Sequence, residues 1–256
     1  MTLFWTIYKS IRRYIPKCVI EEARYWMEVH FDFMWRKISF GQFGEDIVLL
    51  ELLHSRCIEK GFYVDIGAFA PKQFSNTYLL YKQGWRGINI DATPNSMKVF
   101  EKTRKKDINI EVAVSDQQKE LTFYTWGTPT VINTLSKAHA EHFTSLIGKP
   151  PAERTVRTER LATILDKHAD KFSNIDVMNV DVENHTMEVL RSNNWNKYSP
   201  SIIIVEINGL TIDHIVASEE NAFLVSKGYR MSAWTRPSVF YELALPLKVP
   251  QREMPA

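Results

Sequence analysis

Short apolar runs that alternate with longer helical segments constrain the fold of this chain more than any other feature. Five such runs follow one another between residues 62 and 207, and the most apolar of them, 202–207, reads IIIVEI. Near-continuous apolar strands separated by helices are typical of a parallel sheet that helices cover on both faces. The pattern therefore predicts an α/β domain built on a mostly parallel sheet.

The individual elements follow from the same pattern. Strands are predicted over 62–66, 87–90, 108–114, 176–180, 202–207, 229–234 and 239–243. The predicted helices cover 74–83, 94–104, 158–170, 184–193 and 217–227. The result is a seven-stranded sheet that closes with a hairpin. Residues 127–157 have weak periodicity and contain three prolines, and we interpret them as a long insertion, a lid over the site.

Residues 1–38 differ from the rest and are predicted to form an N-terminal helical extension ahead of a domain over 39–256. The segment is rich in aromatic residues, and Lys9, Arg12, Arg13 and Lys17 precede its first acidic residue. Pro16 should divide it into two helices. One interpretation packs the aromatic face on the domain or on a second subunit of a homo-oligomer. The other places an interfacial helix on an anionic membrane.

Composition excludes several classes of protein. The formal net charge of the 256 residues is only +2, which gives no reason to expect a nucleic-acid partner. Cys18 and Cys57 do not form a metal-ligand pair, and we expect reduced thiols. No apolar run is long enough to span a membrane, and no signal-peptide pattern is present. We therefore expect a cytoplasmic protein, with peripheral contact at the inner membrane face through 1–38 as an alternative.

Two aspartates at predicted strand ends suggest a nucleoside site. Asp65 precedes Gly67 by two positions, and a glycine there lets the backbone approach a ligand. The turn lacks the other glycines of a dinucleotide-binding fingerprint, so a pyrophosphate is disfavoured. Asp91 ends the second strand, where an acid can accept hydrogen bonds from ribose hydroxyls. It is also placed to cap a helix that follows. The small residues of 111–116 would border an adenine.

Several linked motifs resemble those of the FkbM-type methyltransferases. They are SFGQFGED, FYVDIGAFAP, FSNTY, GWRGINID, AVS and IDVMNVDVENHTMEVL, in this order over residues 39–207. The resemblance implies a Rossmann-like class I methyltransferase fold, S-adenosylmethionine as cofactor, and O-methylation, commonly of sugars in glycans or natural products. Two residues depart from the family pattern. Asn184 stands where glycine is usual, and Asn179 stands where an apolar or small polar residue is usual.

The resemblance also implies which residues approach the cofactor. Gln42, Gly44, Glu45 and Asp46 would approach from the N-terminal side, and the Ser75–Thr77 run would lie near the methionine moiety. Together with the strand-end residues, the predicted cofactor-binding set is Gln42, Gly44, Asp46, Asp65, Gly67, Ala68, Ser75, Asn76, Thr77, Asp91, Ala92, Val112, Ala113 and Asp181.

Methyl transfer to an alcohol needs a group that takes the hydroxyl proton. The candidates are His185, which titrates near neutrality, and the carboxylates Asp181 and Glu183. Glu183 and His185 also fit the first turn of a helix, which is the structural alternative. In a further alternative, Asp181, Glu183 and Glu206 bind Mg²⁺, which would lower the pKa of the hydroxyl.

We therefore predict an S-adenosylmethionine-dependent O-methyltransferase acting on a sugar or glycan. Two other classes compete with this prediction. An NAD-type oxidoreductase would use a related sheet, but the missing glycines disfavour it. A non-catalytic cofactor-binding module would keep the fold without the chemistry, and the polar residues gathered around Asp181 disfavour that.

Overall fold

The computed structural model describes residues 16, 19–22, 25–26, 37–127, 130–209 and 211–244. The chain divides into two compact units, Met1–Ile38 and Ser39–Ala256. In the first unit, residues 19–22 and 25–26 are helical. The remainder of the predicted N-terminal helices, including the basic segment ahead of Pro16, lies outside the described residues. Among the helices described, none has the length and apolar character needed to cross a membrane.

The described part of the second unit alternates strands and helices. The strands are β1 (Phe62–Ile66), β2 (Arg86–Asp91), β3 (Ile108–Glu111), β4 (Ala113–Val114), β5 (Glu120–Thr125), β6 (Ala152–Glu159), β7 (Val177–Val180), β8 (Ile202–Glu206), β9 (Tyr229–Thr235) and β10 (Ser238–Leu243). The helices are α1 (Glu45–Ser55), α2 (Tyr78–Lys82), α3 (Met97–Thr103), α4 (Lys137–Ile147), α5 (Leu161–Lys167), α6 (Thr186–Ser192), α7 (Ile212–Val216) and α8 (Glu219–Ser226), with a 3₁₀ turn at Ala169–Lys171.

The larger sheet has seven strands in the order β3-β2-β1-β7-β8-β10-β9. The first five of these strands pair in parallel, whereas β10 is antiparallel to both β8 and β9. The predicted α/β architecture with a mostly parallel sheet is confirmed. The sheet is mixed because the closing hairpin turns back along its edge.

Both faces of this sheet are covered by helices. Every residue of β1 is buried. Val64 belongs to a core cluster with residues of α5, α6 and α8, whereas its neighbour Tyr63 belongs to a second cluster with Leu49 and Leu53 of α1. Successive side chains of a strand point to opposite faces, so a strand buried on both faces must be apolar throughout. This is why the strands are nearly continuous apolar runs.

Several predicted boundaries were wrong, three of them for a clear local reason. The strand predicted over 108–114 divides, because β3 pairs with β2 whereas β4 pairs with β6. The helix predicted over 74–83 begins only at Tyr78, since Phe74 has φ 53 and cannot lie in a helix. The helix predicted over 158–170 begins at Leu161, because β6 extends through Glu159.

The segment 127–157 has regular structure of its own. It contains α4 and most of β6, and β6 lies between β4 and β5 in a three-stranded second sheet. The Ser136 side chain caps α4 by accepting a hydrogen bond from the backbone N–H of His139. Gly148 ends the helix with φ 69. Closure of this segment over the site stays a prediction.

Candidate active site

A cavity opens at the carboxyl ends of the parallel strands. Asp65 near the end of β1, Asp91 at the end of β2, Asp181 after β7 and Glu206 at the end of β8 all line it. Parallel strands carry their carboxyl ends to the same edge of a sheet, where loops form the ligand site of an open α/β fold. The topology therefore brings together acids that are up to 141 residues apart (206 minus 65).

Most of the residues predicted for the cofactor or the chemistry line this cavity. They are Gln42, Asp65, Gly67, Ala68, Ser75, Asn76, Asp91, Ala92, Val112, Ala113, Asp181, Glu183, His185 and Glu206, with Glu45 from the same N-terminal motif. Gly44, Asp46 and Thr77 are outside the lining. Gly44 is the N-cap of α1 with φ 87, Asp46 accepts hydrogen bonds from Ser39 and Phe40, and Thr77 donates one to Asp65.

Asp65 is oriented by two side chains. Its Oδ2 accepts a hydrogen bond of 2.5 Å from Thr77, and its Oδ1 accepts one of 2.9 Å from the amide of Asn179. Asn179 in turn accepts a hydrogen bond of 3.0 Å from Asn76. All four residues are buried. Asn179, a departure from the family pattern, thus links β7 to the carboxylate at the end of β1.

Arg104 holds the loop over residues 71–77, which includes the Thr77 that hydrogen-bonds Asp65. No sequence pattern marks this arginine as part of a site. The side chain is fully buried. It donates hydrogen bonds to the Pro71 carbonyl at 2.9 Å, to Thr77 at 2.7 Å and to Asn89 at 3.0 Å, and a further one to Ser75. A buried guanidinium requires such partners, because its charge has left water. In the sequence Arg104 is hidden in a basic run that is typical of a solvated surface.

Asp91 faces the cavity with its carboxylate already supported by backbone. It accepts hydrogen bonds from the N–H groups of Phe69 at 2.9 Å and Thr93 at 2.7 Å. Burial raises the pKa of this carboxyl, and the hydrogen bond from Thr93 opposes the rise. Asp91 does not cap a helix, since α3 begins at Met97. Asp91 is therefore an oriented acid that can accept hydrogen bonds from a ligand in the cavity.

The acids after β7 and β8 form a cluster. One carboxylate oxygen from each of Asp181, Glu183 and Glu206 lies within 4.8 Å of the others. Burial, and next the charge of Glu206, holds the pKa of Asp181 well above its ordinary range. Burial, and next the charge of Glu183, raises the pKa of Glu206 to about 7. Acids cluster in this way with and without a bound ion, so the magnesium hypothesis stays a prediction.

Glu183 contacts His139, a histidine that no sequence pattern marks as part of the site. His139 Nε2 lies 3.2 Å from Glu183 Oε2, at an angle that makes this an electrostatic contact rather than an aligned hydrogen bond. Burial raises the pKa of Glu183, and His139 opposes the rise. The other ring nitrogen of His139 contacts the amide of Asn184. The helix α4, which carries His139, therefore reaches the acid cluster.

His185 lies beside the cavity immediately before α6. Its Nε2 is 3.1 Å from the Ser115 hydroxyl, and its Nδ1 is 3.6 Å from Glu188 on the first turn of α6. Burial lowers the pKa of this imidazole, while the charge of Glu188 opposes the fall. The ring is therefore neutral near pH 7, and both of its nitrogens already have neighbours.

Other residues of the lining were not predicted. They are Ile66, Phe69, Phe74, Ile90, Thr93, Val114, Phe123, Thr130, Val131, Asn133, Thr134, Leu135, Asn179, Val182, Pro237 and Ser238. Many belong to the segment 127–157 or to the turn between β9 and β10, which no motif marks. Ile66, Ile90 and Val114 among them lie in predicted strands and also belong to the hydrophobic core.

The match to a known family agrees with this geometry. Residues 65–231 match the model of the Methyltransferase FkbM domain. No curated protein matches the chain. The matched range includes Asp65, Asp91, Asp181 and Glu206, the four strand-end acids of the cavity. It covers more than half of the chain, which therefore belongs to the FkbM methyltransferase family and carries a methyltransferase domain.

Proposed function

We propose that this protein is an S-adenosylmethionine-dependent O-methyltransferase that methylates a sugar hydroxyl. One observation carries the proposal. The cavity that contains the oriented carboxylates Asp65 and Asp91 also contains the acids Asp181 and Glu183 and the imidazole of His185. Residues suited to binding a nucleoside and residues able to accept a proton thus line the same cavity, as a transfer reaction requires.

The lining fits the donor in several places. Asp91 would accept hydrogen bonds from the ribose hydroxyls, and Val112 and Ala113 would border the adenine. Gly67 and Ala68 keep the turn after β1 small, and both donate backbone hydrogen bonds to the Ile90 carbonyl rather than filling the cavity. When bound, S-adenosylmethionine supplies a methyl group on a sulfonium sulfur.

The protein's own part is to align the acceptor and to take its proton. An alcohol is a poor nucleophile at neutral pH, so a base must accept the hydroxyl proton as the new C–O bond forms and the C–S bond breaks. The proton ends on the base, and the donor leaves as the neutral thioether. Asp181, Glu183 and His185 are the candidates for the base, and all three face the cavity.

The remaining polar lining suits an acceptor rich in hydroxyl groups. Thr130, Asn133, Thr134 and Ser238 bring hydroxyl and amide groups to the cavity. Such groups can both donate and accept hydrogen bonds, as sugar hydroxyls do. They carry no charge, which favours a neutral polar acceptor over an ionic one. This supports a sugar hydroxyl as the methylated group.

A direct test uses a labelled methyl donor. The purified protein is incubated with S-adenosylmethionine carrying a ¹³C methyl group and with a pool of oligosaccharides, and the products are analysed by mass spectrometry. The proposal predicts oligosaccharides heavier by one labelled methylene unit. Retention of S-adenosylhomocysteine by the protein, together with failure to bind NAD, separates this function from an oxidoreductase. A non-catalytic module would bind the cofactor and label nothing.

We also propose that residues 1–38 provide a peripheral contact with anionic membranes. The excess of basic residues at the start of this segment, together with its aromatic residues, supports the proposal. Flotation with anionic liposomes should carry the full chain upward. The same protein without residues 1–38 should stay at the bottom of the gradient. Equal flotation of the two proteins would contradict the proposal.

A further inference from the structure

Glu183 is held in an unusual backbone conformation by contacts from another part of the chain. Its φ is 51 and that of Asn184 is 66, a region that side-chain-bearing residues rarely adopt. Thr134 donates a hydrogen bond of 2.6 Å to the Glu183 carbonyl, and His139 lies against its carboxylate. A costly conformation persists only where the surroundings determine it. The position of this carboxylate is therefore specified rather than incidental.

The contacts of the Asn184 amide indicate which nitrogen of His139 carries the proton. Asn208 donates a hydrogen bond of 2.8 Å to Asn184 Oδ1, so the Nδ2 group of Asn184 is the one that faces His139 Nδ1. An amide N–H donates only, so Nδ1 must accept and the proton of the neutral ring is on Nε2. This is the nitrogen that lies beside Glu183 Oε2.

We propose that His139 and Asn184 are positioning residues that orient Glu183 as the base for the acceptor hydroxyl. This inference rests on the proposed function. The Nε2–H group of His139 lies 3.2 Å from one carboxylate oxygen of Glu183 and attracts it electrostatically, which leaves the other oxygen to receive the proton. Asn184 stabilises the tautomer of His139 that carries its proton on Nε2. Asn184, which stands where the family usually has glycine, thus has a role in this chain.

The contacts of the other candidates favour the same assignment. His185 has Ser115 at one ring nitrogen and Glu188 at the other. Asp181 has the acids Glu183 and Glu206 as neighbours in the cluster, and neither carboxylate offers an N–H group to it. Glu183, by contrast, has the Nε2 atom of His139 at 3.2 Å from one of its carboxylate oxygens.

The inference also assigns a role to the segment 127–157. Thr134 and His139 both belong to it, and both contact Glu183. The segment therefore contributes directly to the catalytic arrangement. Movement of α4 away from the strand ends would release the base, so a displaced segment and an inactive enzyme should occur together.

Three variants and one matched control test the inference. His139→Leu keeps the size of the side chain but removes the N–H group. His139→Gln restores an amide donor near the Nε2 position. Asn184→Gly removes the amide but suits φ 66, so the fold should be kept. The control is His142→Leu, an exposed histidine on the same helix that is not part of the cavity lining.

Transfer of labelled methyl groups to the oligosaccharide pool is measured for each protein, with calorimetry for S-adenosylhomocysteine. We expect kcat to fall about tenfold to a hundredfold in His139→Leu and Asn184→Gly, with unchanged cofactor affinity and donor KM. His139→Gln should recover most of the rate, and His142→Leu should match the wild type. Wild-type rates in His139→Leu and Asn184→Gly would overturn the inference while leaving the proposed function intact.

A second measurement does not depend on the acceptor. The ¹⁵N spectrum of the imidazole rings, with the His139 signals assigned by their loss in His139→Leu, should show the tautomer protonated on Nε2. A ring protonated on Nδ1 would overturn the inference. Failure of the wild-type protein to label any oligosaccharide, with the Nε2 tautomer present, would instead contradict the proposed function.

Discussion

Gly67 lies against the carbonyl oxygen of Asp181, so closely that a Cβ atom on Gly67 would stand 1.6 Å from it. The contact joins the turn after β1 to the turn after β7, and Asp181 also donates its N–H to the Ile66 carbonyl. The backbone at Gly67 has φ 79, which glycine adopts without strain. The two strand ends that frame the cavity therefore approach each other only because residue 67 has no side chain.

Gly67→Ala should disrupt this approach. We expect the free energy of unfolding to fall by about 3 kcal/mol or more, since the added carbon meets backbone that cannot give way. Gly84→Ala is the matched control, because φ is 98 there and no atom lies within 4 Å of the added carbon. That variant should lose only about 1 kcal/mol. Urea denaturation measures both, and equal losses would contradict the account of Gly67.

Arg104→Met should destabilise the fold, although residue 104 is not itself part of the cavity lining. The variant leaves the Pro71 carbonyl and the hydroxyls of Ser75 and Thr77 without their buried donor. We expect a loss of about 3 kcal/mol in the free energy of unfolding. Lys105→Met, at the exposed neighbouring position, should change it by less than about 0.5 kcal/mol. Similar losses in the two variants would show that the buried network contributes little.

Asp91→Asn should weaken cofactor binding. The carboxylate is charged and offers two acceptor oxygens, whereas the amide is neutral and offers one. The affinity for S-adenosylhomocysteine should therefore fall about tenfold or more. Glu111→Gln is a suitable control, since Glu111 pairs with Asp91 in register but is exposed and outside the cavity lining. Calorimetry compares the two variants. Unchanged affinity in Asp91→Asn would remove the assignment of this residue to the ribose.

Glu183→Gln should separate the candidates for the base. Loss of a general base lowers turnover by about a hundredfold to ten-thousandfold, whereas cofactor affinity should stay nearly constant. His185→Gln should cost less than tenfold, because its ring nitrogens already contact Ser115 and Glu188. Single-turnover rates with saturating donor provide the comparison. A larger loss in His185→Gln than in Glu183→Gln would transfer the role of base to the histidine.

Glu206 should make stability depend on pH. Its pKa of about 7 in the folded protein lies above the ordinary value of 4.5, so the folded state binds more protons between these values. The stabilisation is complete below about pH 4.5 and is lost as the pH rises through 7. Glu206→Gln should therefore unfold with a free energy roughly 3 kcal/mol higher than the wild type at pH 8, and the difference should become small near pH 4.5. Thermal denaturation at several pH values measures this difference. A constant difference would contradict the raised pKa.

The sheet and the strand-end acids could be predicted because their signals are local. An apolar run such as that of β8 admits few other structures, and Asp65 and Asp91 follow from their places at strand ends. The same reasoning identified Asp181 and Glu206. The predicted strand boundaries were wrong where the chain passes from one sheet to the other, as at the junction of β3 and β4.

His139 and Arg104 could not be predicted, since their roles depend on partners far along the chain. His139 meets Asn184 across 45 residues, and Arg104 meets Thr77 across 27. Neither lies in an apolar pattern or in a motif of the family. A local signal for α4 was available in Ser136 as an N-cap and Gly148 as a C-terminal stop, but the prolines on either side favoured an irregular segment.

The most direct test of the account is a crystal structure with S-adenosylhomocysteine and the best-labelled oligosaccharide bound. We predict that the ribose hydroxyls lie within hydrogen-bond distance of Asp91, with the sulfur on the side of the cavity nearer to Asp181. The methylated hydroxyl should lie within reach of the Glu183 carboxylate. A nucleoside bound away from Asp91, or a sulfur remote from the acid cluster, would contradict the central claim that one cavity unites donor and base.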